Sequence, residues 1–510
     1  MELEKYSSLF EKYRDVRLIG NYVEYSKWTI AKLFPRITPK VTLKGNDPVE
    51  KDFQSMGGVL VNSLSSSLVQ MLFPIGMSFF RIKENKRLEQ AVRSVRQEPN
   101  FSLVDIENQA CERVLSNAGY ASLNLAIALL IVTGNVLLHR RNGSLVCYNM
   151  NQYSMLRDND GTVLDIIIKE GISFNRLPDD VRSNSRFQNR KEFDIVDMYT
   201  RVKRVYDSNN NPLWEVSTQI EDLPLGDSTR YHEKLCPYIP VVWSSVPGNS
   251  YGHGLVEDYA GDFAKLSMLS EALALYEIDA CHVINLVKPG TGADIDALAD
   301  ADTGEWVLGD PDTIGKLEGG NYQMITAILA DIQAIWERLS TACMYQANVR
   351  DAERVTAEEI KMKIRETDKS LGGVYSQLSK SLHLPLAYLL ITEILPELVP
   401  AVISGEIDLD IMTGTSALGR SADVENIMRA FEILSVLVPA SKQISARFDS
   451  ERITDKVLKS FNVKLEDITY TEEELQQQQA QQQQMLMQQQ ASMMGGDVNP
   501  LDIGAQLGAM

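Results

Sequence analysis

The sequence predicts an α+β protein, mainly α-helical, in which one β-rich block interrupts a series of long helices. Three observations predict it. Apolar residues recur at helical spacing over three long stretches between Gly254 and Leu382. Short apolar runs punctuated by Asn, Asp, Gly and Pro fill residues 136–246. Capping boxes beginning at Thr356 and Thr471 mark two helix starts. The 510 residues suffice for roughly three domains. A composition 44% hydrophobic and 23% charged is that of a soluble, core-forming chain.

Residues 1 to about 130 read as mostly helical. Within them "GGVLVNSLSSSLVQMLFP" (57–74) sets Leu60, Leu64, Leu68, Met71 and Leu72 on one face, and Pro74 ends the helix. The most apolar run is "LNLAIALLIVTGNVLLH" (123–139). Its unbroken core, 125–132, is too short for a membrane span. It predicts a buried helix stopped by Gly134 and followed by a short strand. In the β block, Asn159-Asp160-Gly161 and "YDSNNNPLWEV" signal hairpins, and "CPYIPVVWSSV" is a strand bounded by prolines.

The first long helix begins near Gly254, with Leu255, Tyr259, Phe263, Leu266, Leu269, Leu273 and Tyr276 in register. The second covers about 324–345 through Ile325, Ile328, Leu329, Ile332, Ile335, Trp336, Leu339 and Cys343. A Gly- and Asp-rich insert between them suggests a stalk with a tip. Next comes "ANVRDAERVTAEEI", a loop carrying charges of both signs that feeds the third helix. There Thr356 and Glu359 form a capping box, and the apolar face runs on to Leu382 before Pro385. That is about 28 residues, on the order of 42 Å. Gly372-Gly373 in its middle would cost about 2 kcal/mol against alanines and suits a close backbone crossing or a bend. Residues 422–437 read as another helix. The glutamine-rich end, from Glu472 to about Ser492, has almost no apolar stripe. It is either a disordered tail or a helix that stands only by packing against identical neighbours.

Charge and cysteine usage narrow the function. Five scattered cysteines without a CxxC suit a reducing compartment. "MELEKYSSLF" lacks a secretory signal pattern. Net charge is −19, unevenly spread: residues 1–100 hold 16 basic and 11 acidic residues, whereas residues 251–330 hold 3 and 14. Such an acidic chain does not hold DNA through a broad basic face. An acidic surface beside DNA makes sense where DNA must not stick.

Few motifs carry chemistry. "GNSYG" (248–252) fits G-x-S-x-G between a strand and a helix, so a serine hydrolase using Ser250 is the enzymatic alternative. It would need His253, His282 or His383 as partner. The preceding residues lack the alternating β and α units of that fold, and the plain reading is a glycine-rich turn. "GDPDTIGKL" has one residue too many for a phosphate loop and lacks its Ser/Thr. His232 and Cys236 make at most half a zinc site. Glu257, Asp258 and Asp262 read as an exposed acidic face. No cofactor and no metal is predicted.

The order of elements, with "NSLSSSLVQMLFP", "TGNVLL", "LPDDVR", "CPYIP", "SYGHGLVEDYAGD", "ERVTAEEI", "LGGVYSQLSKSLHLPL" and "GTSALGR", resembles the portal (head-to-tail connector) proteins of short-tailed, T-seven-like podoviruses. The resemblance covers roughly residues 10–495. It implies a portal fold that assembles as a dodecameric ring. Its parts would be a wing (1–245), stem helix 1 (246–282), a clip (283–322), stem helix 2 (323–345), a tunnel loop (346–355), a long wing helix and its continuation (356–410), a crown (411–470) and a C-terminal helical barrel and tail (471–510). It implies a non-enzymatic channel for double-stranded DNA at the capsid vertex of a virion, assembled in the host bacterial cytoplasm. Implied partners are the major capsid and scaffolding proteins, the terminase large subunit, a tail adaptor protein and internal core proteins, with no membrane. The implied DNA-facing residues are Asn348, Arg350, Asp351, Glu353 and Arg354. A helical adaptor that forms no ring is the remaining non-enzymatic reading.

Overall fold

The structure is a computed structural model. It describes residues 4–34, 52–74, 78–83, 103–115, 119–183, 187, 190–281, 283–287, 300, 314–318, 322–345 and 374–411. The chain divides into two units, Met1–Ala417 and Leu418–Met510, and every described residue belongs to the first. The expected tunnel loop (346–355), the capping boxes at Thr356 and Thr471, the Gly372-Gly373 pair, most of the clip, the crown beyond Ile411 and the barrel lie outside the described residues.

Two short helices open the chain, α1 (Tyr6–Tyr13) and α2 (Val16–Trp28). Asp15 starts the second by accepting the Arg17 and Leu18 amides on its carboxylate. The expected helix at 57–74 is α3 (Met56–Leu72), with Leu60, Leu64, Leu68 and Leu72 buried. After β1 (Phe80–Ile82) and α4 (Leu103–Leu115) comes α5 (Gly119–Thr133). This helix is apolar on all sides, which places it inside the core rather than on it. Among the described residues no single helix is long and apolar enough to cross a membrane.

Gly134 ends α5 in the left-handed region (φ +74°), and β2 (Asn135–Arg141) follows at once, as the sequence predicts. Asn142 and Gly143, both with positive φ, turn it tightly into β3 (Ser144–Tyr148). β4 (Tyr153–Arg157) and β5 (Val163–Ser173) are joined at the expected Asn159-Asp160-Gly161 turn, with Gly161 at φ +85°. After a single helical turn, α6 (Asp179–Arg182), come β6 (Ile195–Tyr206), β7 (Pro212–Ile220) and β8 (Leu223–His232). They complete an antiparallel meander of order β4-β5-β6-β7-β8. β9 (Tyr238–Val242) returns beside β2 to give a second sheet of order β3-β2-β9.

The meander is covered on both faces. Ile166 and Ile168 of β5 face the main core, whereas Ile167 packs with Leu9, Phe10 and Tyr199 under α1. An ion network ties the N-terminus down there. Arg201 Nη2 donates to Asp165 Oδ2 at 2.6 Å and its Nη1 donates to Glu4 Oε2 at 2.7 Å.

Two helical expectations are corrected. The helix predicted from Gly254 is two helices, α7 (Leu255–Asp258) and α8 (Ala260–Cys281), broken at Tyr259. The break follows from their partners: α7 docks on α5, whereas α8 pairs with α9 (Tyr322–Ala342). Between α8 and α9 the strands β10 (Val283–Val287) and β11 (Ile314–Glu318) pair antiparallel. The second correction is at Pro385, which does not end the third helix. α10 (Val374–Leu378) runs through a π turn (Ser379–His383) directly into α11 (Leu384–Ile394). The wider turn, in which the Leu384 amide reaches back to Ser379 O, absorbs a proline whose ring would clash in a regular helix. α12 (Val399–Ser404) and β12 (Leu409–Ile411) follow, and β12 pairs with β1.

His383, in that π turn, is fully buried between Phe73 and Phe79. Its Nε2 lies 3.0 Å from Leu72 O, so Nε2 carries the proton, and Nδ1 is sealed without a partner. Burial lowers its pKa from 6.5 to about 4. The unfolded chain therefore binds a proton that the native one refuses. Its stabilising effect is complete above pH 6.5 and is lost as the pH falls toward 4, a change of about 3 kcal/mol at full titration. His383→Gln is expected to flatten that acid limb, read from urea midpoints at pH 7 and pH 4.5. An unchanged slope would assign it to other groups.

Candidate functional site

The expected DNA-facing residues, Asn348, Arg350, Asp351, Glu353 and Arg354, are not among the described ones. What is described is the segment that leads to them. α9 ends where Met344 takes a left-handed conformation (φ 52°) and the Tyr345 amide bonds back to Ser340 O. Trp336 packs edge-on against Tyr345 at 5.4 Å.

The α8–α9 pair is held by an inner apolar seam of Phe263, Leu266, Ile332, Ile335 and Leu339, all buried. Two ion pairs flank it: Arg338 Nη2 to Asp262 Oδ1 at 2.6 Å, and Lys265 Nζ to Asp331 Oδ2 at 3.2 Å. Both are exposed enough to add little energy, but they fix how the helices align. On the opposite side of α8 stand Met268, Leu275 and Ile278, which are 69%, 55% and 58% exposed. They recur at i, i+7 and i+10, so they form one outer stripe.

The root of the pair is a clamp of glycines around Asn135. The Asn135 Oδ1 accepts the Gly252 amide at 2.8 Å. Its Nδ2 lies 2.7 Å from Gly252 O and 2.8 Å from Thr133 O, which take its two hydrogens, and 3.1 Å from the Tyr22 hydroxyl. The backbones touch so closely that only glycine fits. A Cβ on Gly254 would lie 2.7 Å from both Gly134 N and Ile131 O, and one on Gly252 would lie 2.5 Å from Ser244 O. This explains the spelling "SYGHG". The signal was visible in the sequence as clustered glycines, but nothing local points to Asn135 as their partner.

The enzymatic alternative finds no support in this geometry. Ser250 Oγ accepts the Arg157 amide at 3.3 Å. The nearby His253 directs Nε2 toward Asp258 at 3.8 Å. The helix after the turn starts at Leu255, so Ser250 does not sit on a strand-to-helix elbow. His232 Nδ1 accepts the Lys234 amide and caps a single helical turn, while Cys236 is a buried free thiol pushed up to about 12. The three acids are separated in role. Asp262 pairs with Arg338, Asp258 faces His253, and Glu257 lines a cavity between α7 and the α1–α2 elbow.

Comparison with known proteins matches residues 19–468 to the family described as bacteriophage head to tail connecting protein. This chain belongs to that family. The head-to-tail connector match takes in the Asn135 clamp, the α8–α9 pair and the loop beyond it. The portal protein of Pseudomonas phage phiKMV is 36% identical over 475 residues, covering 92% of each chain. That of Escherichia phage T7 is 30% identical over 468 residues, covering 88% of this chain and 85% of its own. Among solved structures, the neck of a native GTA particle aligns over 80% of this chain and 91% of its own, at 10% identity and a TM-score of 0.38. That likeness is too weak to argue from.

The clamp is testable in the connector. Asn135→Ala leaves the Gly252 amide and Thr133 O without their partner, at a cost of about 2–4 kcal/mol. Asn135→Asp is expected to be at least as harmful, because its second oxygen would face two carbonyls. Urea unfolding followed by tryptophan fluorescence measures both; a neutral Asn135→Asp would refute the clamp.

Proposed function

We propose that the chain is a portal subunit: twelve copies form a ring at the capsid vertex through which double-stranded DNA is packaged and later ejected. The observation that carries this reading is the connector-family match, which spans residues 19–468. The uncovered outer stripe of α8 supports the ring. A helix apolar on two opposite faces satisfies one of them within its own chain and needs a neighbour for the other.

In this reading residues 1–245 build the wing, α8 and α9 the stem, and 283–322 the clip. The clip docks the terminase large subunit during packaging and tail adaptor proteins afterwards. Residues 346–355 form the tunnel loop, 356–410 the long wing helix, 411–470 the crown and 471–510 the barrel. Capsid, scaffolding and internal core proteins meet the outer surfaces, and assembly takes place in the host cytoplasm. The protein itself catalyses nothing; ATP hydrolysis belongs to terminase.

The charges suit a conduit. Residues 251–330 carry a net −11, about −132 for twelve copies by symmetry, which repels phosphate and lets DNA slide. Arg350 and Arg354 would form rings that touch phosphate transiently, while Asp351 and Glu353 limit how tightly it is held.

Three results test the assignment. Light scattering should find about 685 kDa, twelve times the 57.1 kDa subunit; a monomer at high concentration would contradict the ring. Met268→Lys with Leu275→Lys should leave the subunit's circular dichroism unchanged and abolish that species. Arg350→Ala with Arg354→Ala should leave rings intact but reduce DNA packaged or retained. Loss of rings in that variant would place these arginines at the subunit interface instead.

A further inference from the structure

Neighbours in a closed ring of more than two copies meet through unlike surfaces, because only a two-fold contact sets a patch against itself. The outer stripe of α8 therefore needs a different face of the next copy. The α8–α9 pair carries one on its other side. On α9, Ala327, Ala330 and Ala334 are exposed and recur at i, i+3 and i+7. They lie across the helix from Ile332, Ile335 and Leu339 of the buried seam, and the exposed Leu329 stands on their flank. The pair is thus uncovered and apolar on both sides, bulky on α8 and small on α9. The ion pairs within the chain set the heights. Lys265 meets Asp331 and Asp262 meets Arg338, so α8 and α9 run in opposite directions with these residues level. One turn on from Lys265, Met268 is level with the turn of α9 between Ala327 and Ala330. Rotation about a ring axis that runs along the pair keeps each residue at its own height.

We propose that the outer stripe of α8 in one copy packs on the outer face of α9 in the next, with Met268 seated among Ala327, Ala330 and Ala334. The proposal rests on the ring reading and names the surface that the stripe meets. Two observations carry it independently of each other. Met268 is 69% exposed on a helix whose opposite side is already buried, and the alanines stand at its height on the far side of the same pair. Alanines let a second helix approach to the short end of the usual range, about 8 Å between axes. A long, unbranched methionine fills the hollow between them. Leu275 lies two turns beyond Met268 and continues the contact toward the first turn of α9. Every neighbouring pair in the ring would then repeat one contact of fixed direction, α8 onto α9, and the inner seam and the outer contact would alternate around the channel.

Disulfide trapping tests the direction of the contact. Met268→Cys is combined in turn with Ala327→Cys, Ala330→Cys or Ala334→Cys. Purified rings are oxidised and run on a non-reducing denaturing gel beside the parent chain, which shows the background from the native cysteines. A disulfide forms only where the Cα atoms come within about 7 Å. The expected result is a ladder, from dimer upward toward the full ring, in at least one combination and in none of the single variants. Rings mixed from Met268→Cys chains and the matching alanine-to-cysteine chains should stop at the dimer. Dimers from Met268→Cys alone would set the stripe against itself and overturn the proposal. Rings that give no ladder in any combination would overturn it too, because the stripe would then face another surface. Failure of the wild-type chain to form rings at all would instead remove the ring reading on which the proposal stands.

Discussion

One side-chain amide fixes where the long helices leave the core. Asn135 spends its donors and acceptor on three segments that are distant in sequence: Tyr22 on α2, Thr133 at the end of α5, and both polar groups of Gly252 before α7. The backbones at Gly134, Gly252 and Gly254 approach one another at distances that exclude a side chain, so the glycines and the amide require one another. Without the side-chain amide, the buried Gly252 N–H and Thr133 O would lose their partner in a region closed to water. Without the glycines, the segments could not come close enough to share one amide. The α8–α9 pair inherits its direction from this knot, because α7 is held on α5 and only then does the chain turn at Tyr259.

A second set of contacts fixes the far end of the third helix. Arg140 of β2, only 4% exposed, meets Glu393 of α11 through Nε and Nη2, each at 3.0 Å. Arg113 of α4 donates to Glu393 O, and His383 hangs on Leu72 O. Bidentate, buried pairing of this kind is costly to break from one side, because the remaining charge is left in a dry site. Residues 374–394 are therefore anchored to α3, α4 and β2, with the π turn at 379–383 held on the α3 end through His383.

Much of the fold was legible because short-range chemistry dictated it. Gly134 after an apolar run, the Asn159-Asp160-Gly161 turn and the Asp207–Asn211 turn all sit where the backbone needs a left-handed or tightly turned residue. Asn142-Gly143 carries the same signal, and it accounts for the short connection between β2 and β3. The misses are of another kind. Tyr259 breaks a helix that its sequence would continue, because two different partners pull on its halves. Pro385 fails to end one, because a π turn removes the clash. Met344 and the Glu221–Asp222 pair adopt positive φ without a glycine to announce it. The Asn135 clamp was invisible for the same reason: its meaning lies in three partners that only the folded chain brings together.

What a single chain leaves uncovered bears most directly on function. An ordinary surface helix has one apolar face, and a helix apolar all round belongs in a core. α8 is neither, since its inner seam is buried while Met268, Leu275 and Ile278 stand in solvent. The glutamine-rich C-terminal sequence poses the complementary problem, with helix-starting signals but no apolar face of its own. A monomeric protein would gain stability by replacing those three side chains with polar ones and by shedding the tail. An assembly of identical copies keeps both, because contacts repeated around a closed ring multiply small gains per subunit into a stable whole. On the proposed ring reading, incomplete burial in the subunit is the physical form that membership takes in one sequence.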